Sequence, residues 1–343
     1  MTPLPKWLLP PLTSLLAGRE RLHHALLITG PEGVGKEWLA RALAAALLCD
    51  APGAARLACG GCAGCRWFSQ DSHPDFRLIR PSADEVSADD ADAPAKATKA
   101  SRDIRIEQIR ALAGFVEIAS HRGGAKVVLV TPAEAMNGAA ANALLKTLEE
   151  PSPNTYFILV CSRVYRLPPT VRSRCRQVPI RVPSTNEAIS WVVDQTGVDS
   201  DRALEWLAFC GGAPRRAVEF GMAEQAATHR DLLDIVASGD RDTLPALADR
   251  LQQYEPGNWA PVLHAWCVDL LRCKAGALPR YFPGETNRLG ALAQRSDLQG
   301  LIGFESWMRQ LGRLVTHPLN ARLVAEDALS RYRAVCARGG HKQ

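Results

Sequence analysis

The sequence predicts an α/β domain over residues 1–180 and helical structure from there to its end. Three observations lead to this. Short runs at Ala25–Ile28, Asp75–Ile79, Lys126–Val130 and Tyr156–Cys161 read as strands, two of them wholly apolar and a third apolar after Lys126, as buried strands are. Between the first run and an Ala/Leu-rich helical stretch lies a glycine-rich turn, Gly30-Pro31-Glu32-Gly33-Val34-Gly35-Lys36-Glu37. After Pro183 the strand signals stop and apolar residues recur at helical spacing.

Composition bounds the function classes. A chain of 343 residues is long enough for two or three domains with their own cores. The net charge of 41 − 36 = +5 is compatible with nucleic acid or an acidic partner and selects neither. No apolar run approaches the roughly 20 residues needed to span a bilayer, and Met1 to Pro11 lacks the pattern of a signal peptide. A cytoplasmic protein is expected. In that setting ten cysteines point to metal or plain burial, not to disulfides.

Taken in order, Trp7 to Leu16 is apolar and is expected to pack against the first domain. His23 and His24 read as strand-entry residues with satisfied ring nitrogens. Strand, glycine-rich turn, then the helix Trp38–Cys49 is the context of a phosphate-binding loop. The spacing is Gly30-x4-Gly35-Lys36. Gly30, Gly33 and Gly35 allow successive backbone N–H groups to turn inward around phosphate oxygens at the positive end of a helix. Lys36 would reach the outer phosphates. The next residue should be Ser or Thr to hold Mg2+, and here it is Glu37.

The second sharp motif is Cys49-x9-Cys59-x2-Cys62-x2-Cys65. Four thiolates at these intervals, with Gly53, Gly60, Gly61 and Gly64 among them, suit a closed tetrahedral Zn2+ site of structural type over residues 49–65. His73 is a conceivable but unneeded ligand. Pro81 to Ser101 has almost no large apolar residue and reads as a mobile loop. Ile109, Leu112 and Val116 mark one face of a helix, and His121 to Ala125 is a basic turn. The strand Lys126–Val130 should end in acidic residues that orient Mg2+ and the attacking water, yet Thr131 and Pro132 stand there. Glu134 reads as an N-terminal charge on the following helix. That helix is read at Asn142–Glu150, stopped by Pro151. Ser162 ends the next strand, and Val171-Arg172-Ser173-Arg174-Cys175-Arg176 reads as a basic turn closing the domain.

Residues 181–222 form a small helical unit, with helices at Asn186–Gln195 and Arg202–Cys210, the Gly211-Gly212 stop, and a further helix opened by Ala213-Pro214-Arg215. Residues 223–343 read as a separate all-α domain with breaks near Gly239, Pro256-Gly257, Pro283-Gly284 and Pro318.

Together these motifs resemble the bacterial clamp-loader branch of AAA+ proteins. The likeness runs from about Leu22 to Phe220 and is most specific in the four cysteines, in Asn142–Pro151 and in Ser173-Arg174-Cys175. It implies an α/β P-loop (AAA+) domain with an inserted zinc module, followed by a small helical lid and an all-α collar that joins subunits in a ring. It implies that Arg174, with Ser173, serves as an arginine finger offered in trans to ATP on a neighbour, and that Arg215 matches a second nucleotide sensor. The departures at Glu37, Thr131 and Pro132 resemble the non-hydrolysing stator of such assemblies. That reading implies motor ATPase subunits and a delta subunit as ring partners, with a sliding clamp and primed DNA reached through the complex. ATP in the chain's own site is then weak or absent, and any catalysis belongs to a DNA polymerase holoenzyme. Two alternatives stand beside it. One is an active ATPase with Glu37 or Glu134 in place of the missing Mg2+ ligands. The other is a zinc-containing nucleic-acid-binding protein, against which the segment near the cysteines offers only Trp67 and Phe68 as aromatics and no dense basic run.

Overall fold

The strand-like runs become a parallel sheet in the computed structural model, which describes residues 4–82, 101–118, 120–121, 123–222, 225–237, 243–314 and 320–337. The chain divides into two units, Met1–Pro183 and Ser184–Gln343.

In the first unit the strands are β1 (Ala25–Thr29), β2 (Phe76–Ile79), β3 (Lys126–Val130), β4 (Thr155–Cys161) and β5 (Arg176–Pro179). Their order is β2-β3-β4-β1-β5, and every pairing is parallel. β1 and β3 are buried at every residue and β4 at all but one, as the uninterrupted apolar runs require. The helices of this unit are α1 (Leu9–Ala17), α2 (Lys36–Leu48), α3 (Ala63–Ser69), α4 (Ile106–Glu117), α5 (Gly138–Glu149) and the single turn α6 (Pro169–Arg172). Alternate residues Ala25, Leu27, Val128, Val130, Phe157 and Leu159 share a core with Ile109 and Leu112 of α4 and Leu144 and Leu148 of α5. The opposite face is met by α2, which touches β1, β3 and β4.

Two features differ from the sequence reading. The basic stretch from Arg176 is a strand, because an edge position paired only with β1 tolerates the exposed Arg176 and Gln177. The helix read from Asn142 begins four residues earlier, where the side chain of Asn137 accepts the N–H of Ala140 at 2.8 Å. The expected loop over 81–101 lies almost wholly outside the described residues, as do the breaks near Gly239 and Pro318.

Among its described residues the second unit contains helices joined by turns and loops, and no strand. It comprises α7 (Thr185–Thr196), α8 (Ser200–Phe209), α9 (Pro214–Met222), α10 (Gln225–Ala237), α11 (Leu244–Leu251), α12 (Pro256–Lys274), α13 (Thr286–Arg295), α14 (Leu298–Leu314) and α15 (Ala321–Ala337). Ser184 and Glu187 form a capping box that starts α7, and Gly197 in the left-handed region ends it. One core gathers α7 to α9 around Trp206 and Leu207. A larger one gathers α10 to α15 around Trp259 and Trp266. Phe209 packs against both.

Candidate functional site

A parallel sheet places its ligand crevice at the carboxyl ends of the strands, where the strand order reverses. That point is the end of β1, flanked by β4 and β5, and the glycine-rich loop occupies it. Gly30, Gly33 and Gly35 all adopt positive φ, at 152°, 81° and 94°. The need for glycine at two of them is also steric. A Cβ on Gly30 would lie 2.3 Å from the carbonyl oxygen of Ile180, and one on Gly35 would lie 2.8 Å from Leu8. Trp7 closes over the same loop, its indole N–H donating to Val34 at 3.1 Å. The N-terminal segment therefore packs on this domain, as its apolar character predicts.

Lys36 is buried, and its ammonium donates to the carbonyl of Pro31 at 2.6 Å. Burial lowers its pKa, while the nearby charges of Glu134 and Glu32 act the other way. Glu37 does not turn into the loop. Its carboxylate lies 3.4 Å from Arg41 one turn along α2, and Arg41 reaches on to Asp71 at 3.1 Å. Thr131 follows β3 and donates its backbone N–H to Ile79 at 2.9 Å.

Glu134 departs from the sequence reading. It does not cap α5, whose N-cap is Asn137. Its carboxylate accepts the backbone N–H groups of Ser162 at 2.9 Å and Arg163 at 3.0 Å, clamping the chain where it leaves β4. The buried thiol of Cys161 lies against the same carboxylate and is pushed up to about 12, by desolvation first and the negative neighbour second. A carboxylate with two amide donors outcompetes a weak helix-end interaction, which is why composition alone misassigned it.

The four cysteines converge. The sulfurs of Cys49, Cys59, Cys62 and Cys65 all lie within 4.8 Å of one another, with Cys49 to Cys62 at 3.8 Å and Cys59 to Cys65 at 4.0 Å. Thiolates around Zn2+ at about 2.3 Å in a tetrahedron are separated by about 3.8 Å. Amides of Cys59, Cys62 and Cys65 donate to the sulfurs of Cys49, Cys59 and Cys62 at 3.3, 3.4 and 3.3 Å. Amide donors bring the Cys59 thiol down to about 6, whereas burial pushes Cys65 up to about 12. The donor set fits zinc, because four sulfurs this close can all ionise only around a cation. Gly64 is obligatory here, since its Cβ would lie 2.6 Å from the carbonyl oxygen of Leu48. His73 instead accepts the N–H of Asp75 through Nδ1 at 3.0 Å.

Arg174 lies between α6 and β5. Its Nε donates to Glu149 at 2.7 Å, its Nη2 binds the same carboxylate oxygen, and its Nη1 donates to the carbonyl of Thr170 at 2.9 Å. The Ser173 hydroxyl donates to that same carbonyl at 3.0 Å. The sequence reading missed Glu149, although a carboxylate closing a helix is an unfavourable placement that asks for a cation. Arg215, in the first turn of α9, pairs with Glu219 at 2.7 Å. His23 and His24 are satisfied by Ala25 and by the carbonyl of Leu148, both at 2.8 Å. Among the described residues no helix is long and apolar enough to cross a membrane.

The family described as "DNA polymerase III, delta subunit" matches residues 12–184. The DNA polymerase III subunit delta' of Pseudomonas aeruginosa is 41% identical over 220 residues, covering 63% of this chain and 62% of that protein. The protein of the same name from Escherichia coli (strain K12) is 31% identical over 334 residues, covering 95% and 94%. The DNA polymerase III subunit tau of that organism is 34% identical over 235 residues, covering 67% of this chain and 32% of that protein.

Proposed function

The chain belongs to the DNA polymerase III delta subunit family, and from that premise we propose that it is the non-hydrolysing stator of a clamp loader. It would help place a sliding clamp on primed DNA, in the cytoplasm, within a ring shared with motor ATPase subunits and a delta subunit. In this reading residues 1–180 are an AAA+ domain, 181–222 its lid and 223–343 the collar that joins the ring. Arg174 is offered in trans to a neighbour's ATP, where a guanidinium is worth roughly 10³–10⁵ in rate in related NTPases. Arg215 stands where the family has a nucleotide sensor. Cys49, Cys59, Cys62 and Cys65 hold a structural Zn2+, whose chemistry is to cross-link the end of α2 to α3.

One observation carries the non-hydrolysing reading. Of the two carboxylates that could replace the missing Mg2+ ligands, Glu37 is paired with Arg41, and Glu134 is held through its Oε1 by the amides after β4. That argues against the active-ATPase alternative. Lys36 keeps the loop's charge, so weak nucleotide binding without turnover is compatible with this site. The test is ATP hydrolysis by the purified lone chain with Mg2+ and primed DNA, beside Lys36→Ala, with zinc content measured in both. The expected result is no turnover above the variant. Turnover that Lys36→Ala abolishes would make this chain a motor.

A further inference from the structure

We propose that Glu149 is a positioning residue that holds Arg174 in reserve, keeping its guanidinium on its own chain until a phosphoryl group of a neighbour's nucleotide displaces the carboxylate. The inference rests on the reading of Arg174 as a group offered in trans.

Each guanidinium nitrogen of Arg174 is engaged within the chain. Nε and Nη2 meet one oxygen of Glu149, and Nη1 meets the carbonyl of Thr170. A guanidinium stabilises charge on a transferred phosphoryl group through these same N–H donors and its net positive charge. Beside a carboxylate the pair is nearly neutral as seen from a distance, and the edge carrying Nε and Nη2 is occupied. Full action in trans therefore requires that Glu149 let go.

The surroundings suit an exchange of side chains between fixed backbones. Glu149 is the last residue of α5, whose Leu144 and Leu148 are fully buried in the sheet core. Arg174 is bracketed by the buried Val171 and Cys175. Neither backbone is free to swing, so only the side chains can part. Glu149 also stands at the negative end of its helix, where a carboxylate is disfavoured and depends on a cation. Arg174 supplies it. Both side chains are partly in water, 34% and 47% exposed, and a pair so exposed is weak enough to be displaced by a polyanion.

The experiment uses the reconstituted complex with the full chain as wild type, Glu149→Gln, Glu149→Asp, Arg174→Ala and the Glu149→Gln/Arg174→Ala double variant. Steady-state ATP hydrolysis is read as kcat/KM over an ATP series, with zinc content and co-elution confirming assembly. Releasing an exposed pair should raise kcat/KM about 2–5-fold in Glu149→Gln. Glu149→Asp, which keeps the charge at shorter reach, should fall between it and wild type. The double variant should match Arg174→Ala, a result that a purely structural role for Glu149 would not give. Unchanged or slower turnover in Glu149→Gln, with Arg174→Ala still slow, overturns the latch and leaves the finger standing. Unchanged turnover in Arg174→Ala overturns the finger and the latch with it.

Discussion

Gly30→Ala tests whether the glycines of the phosphate loop serve the fold even where no nucleotide is turned over. Gly30 has φ of 152° at the end of β1, a conformation that L-residues rarely adopt. Holding alanine there costs on the order of 1–3 kcal/mol. Its Cβ would sit 2.3 Å from the carbonyl oxygen of Ile180, a backbone atom fixed because Ile180 N–H donates to Thr29 at 2.7 Å. Relieving that overlap displaces packed backbone, and overpacking costs about 1–3 kcal/mol more. The sum is about 2–6 kcal/mol without any ligand. The assay is urea denaturation of the full chain, followed by zinc release, which reports on the first unit alone. With a slope of about 2 kcal/mol/M the midpoint should fall by about 1–3 M. Gly138→Ala is the control. That glycine is exposed at the start of α5 with open space around its Cβ position, so alanine should be neutral or stabilise by up to about 1 kcal/mol. A Gly30→Ala midpoint within experimental error of wild type would refute the steric argument and leave phosphate as the sole reason for the glycine.

Three further outcomes are expected. Lys36→Met should leave thermal stability unchanged within about 1 kcal/mol, since it removes a buried charge together with one hydrogen bond to Pro31; it should abolish any binding of a fluorescent ATP analogue. Cys62→Ser should lose bound zinc, measured by metal analysis, and lower the melting temperature of the first unit; metal content equal to wild type would sink the zinc assignment. His229, packed among Phe209, Phe220 and Phe282, is driven down to about 4 by burial and by Arg230. The folded state thus favours the neutral ring. Its contribution is complete above the unfolded value near 6.5 and is lost as pH falls through 4, about 3 kcal/mol in all. His229→Phe should flatten the stability of the second unit across that window, read by circular dichroism.

What the sequence disclosed and what it withheld divide along physical lines. Signals carried by neighbours in the chain were legible. The largely apolar strand runs, the glycines before Lys36 and the cysteine spacing each specify a local geometry, and the sheet, the loop and the sulfur cluster follow from them. Signals that depend on which distant groups meet were not. β5 is short and basic, so its strand character exists only through pairing with β1. Glu134 is read locally as a helix charge, yet amides 28 and 29 residues away claim it. Arg174 and Glu149 are separated by 25 residues. Each is unremarkable alone, and only the closure of the sheet brings the end of α5 beside the turn before β5. This bears on how the site works. The loop motif can be inspected residue by residue and found deficient at Glu37, Thr131 and Pro132. The group proposed to act on a neighbour is governed instead by a contact that the fold creates. If Glu149 restrains Arg174, the charge this subunit offers is fixed by its own core, through the rigid ends of α5 and α6, before any neighbour arrives. An exposed pair worth no more than about 1 kcal/mol suffices for that, because it need only bias the arginine's resting place and must still yield to phosphate.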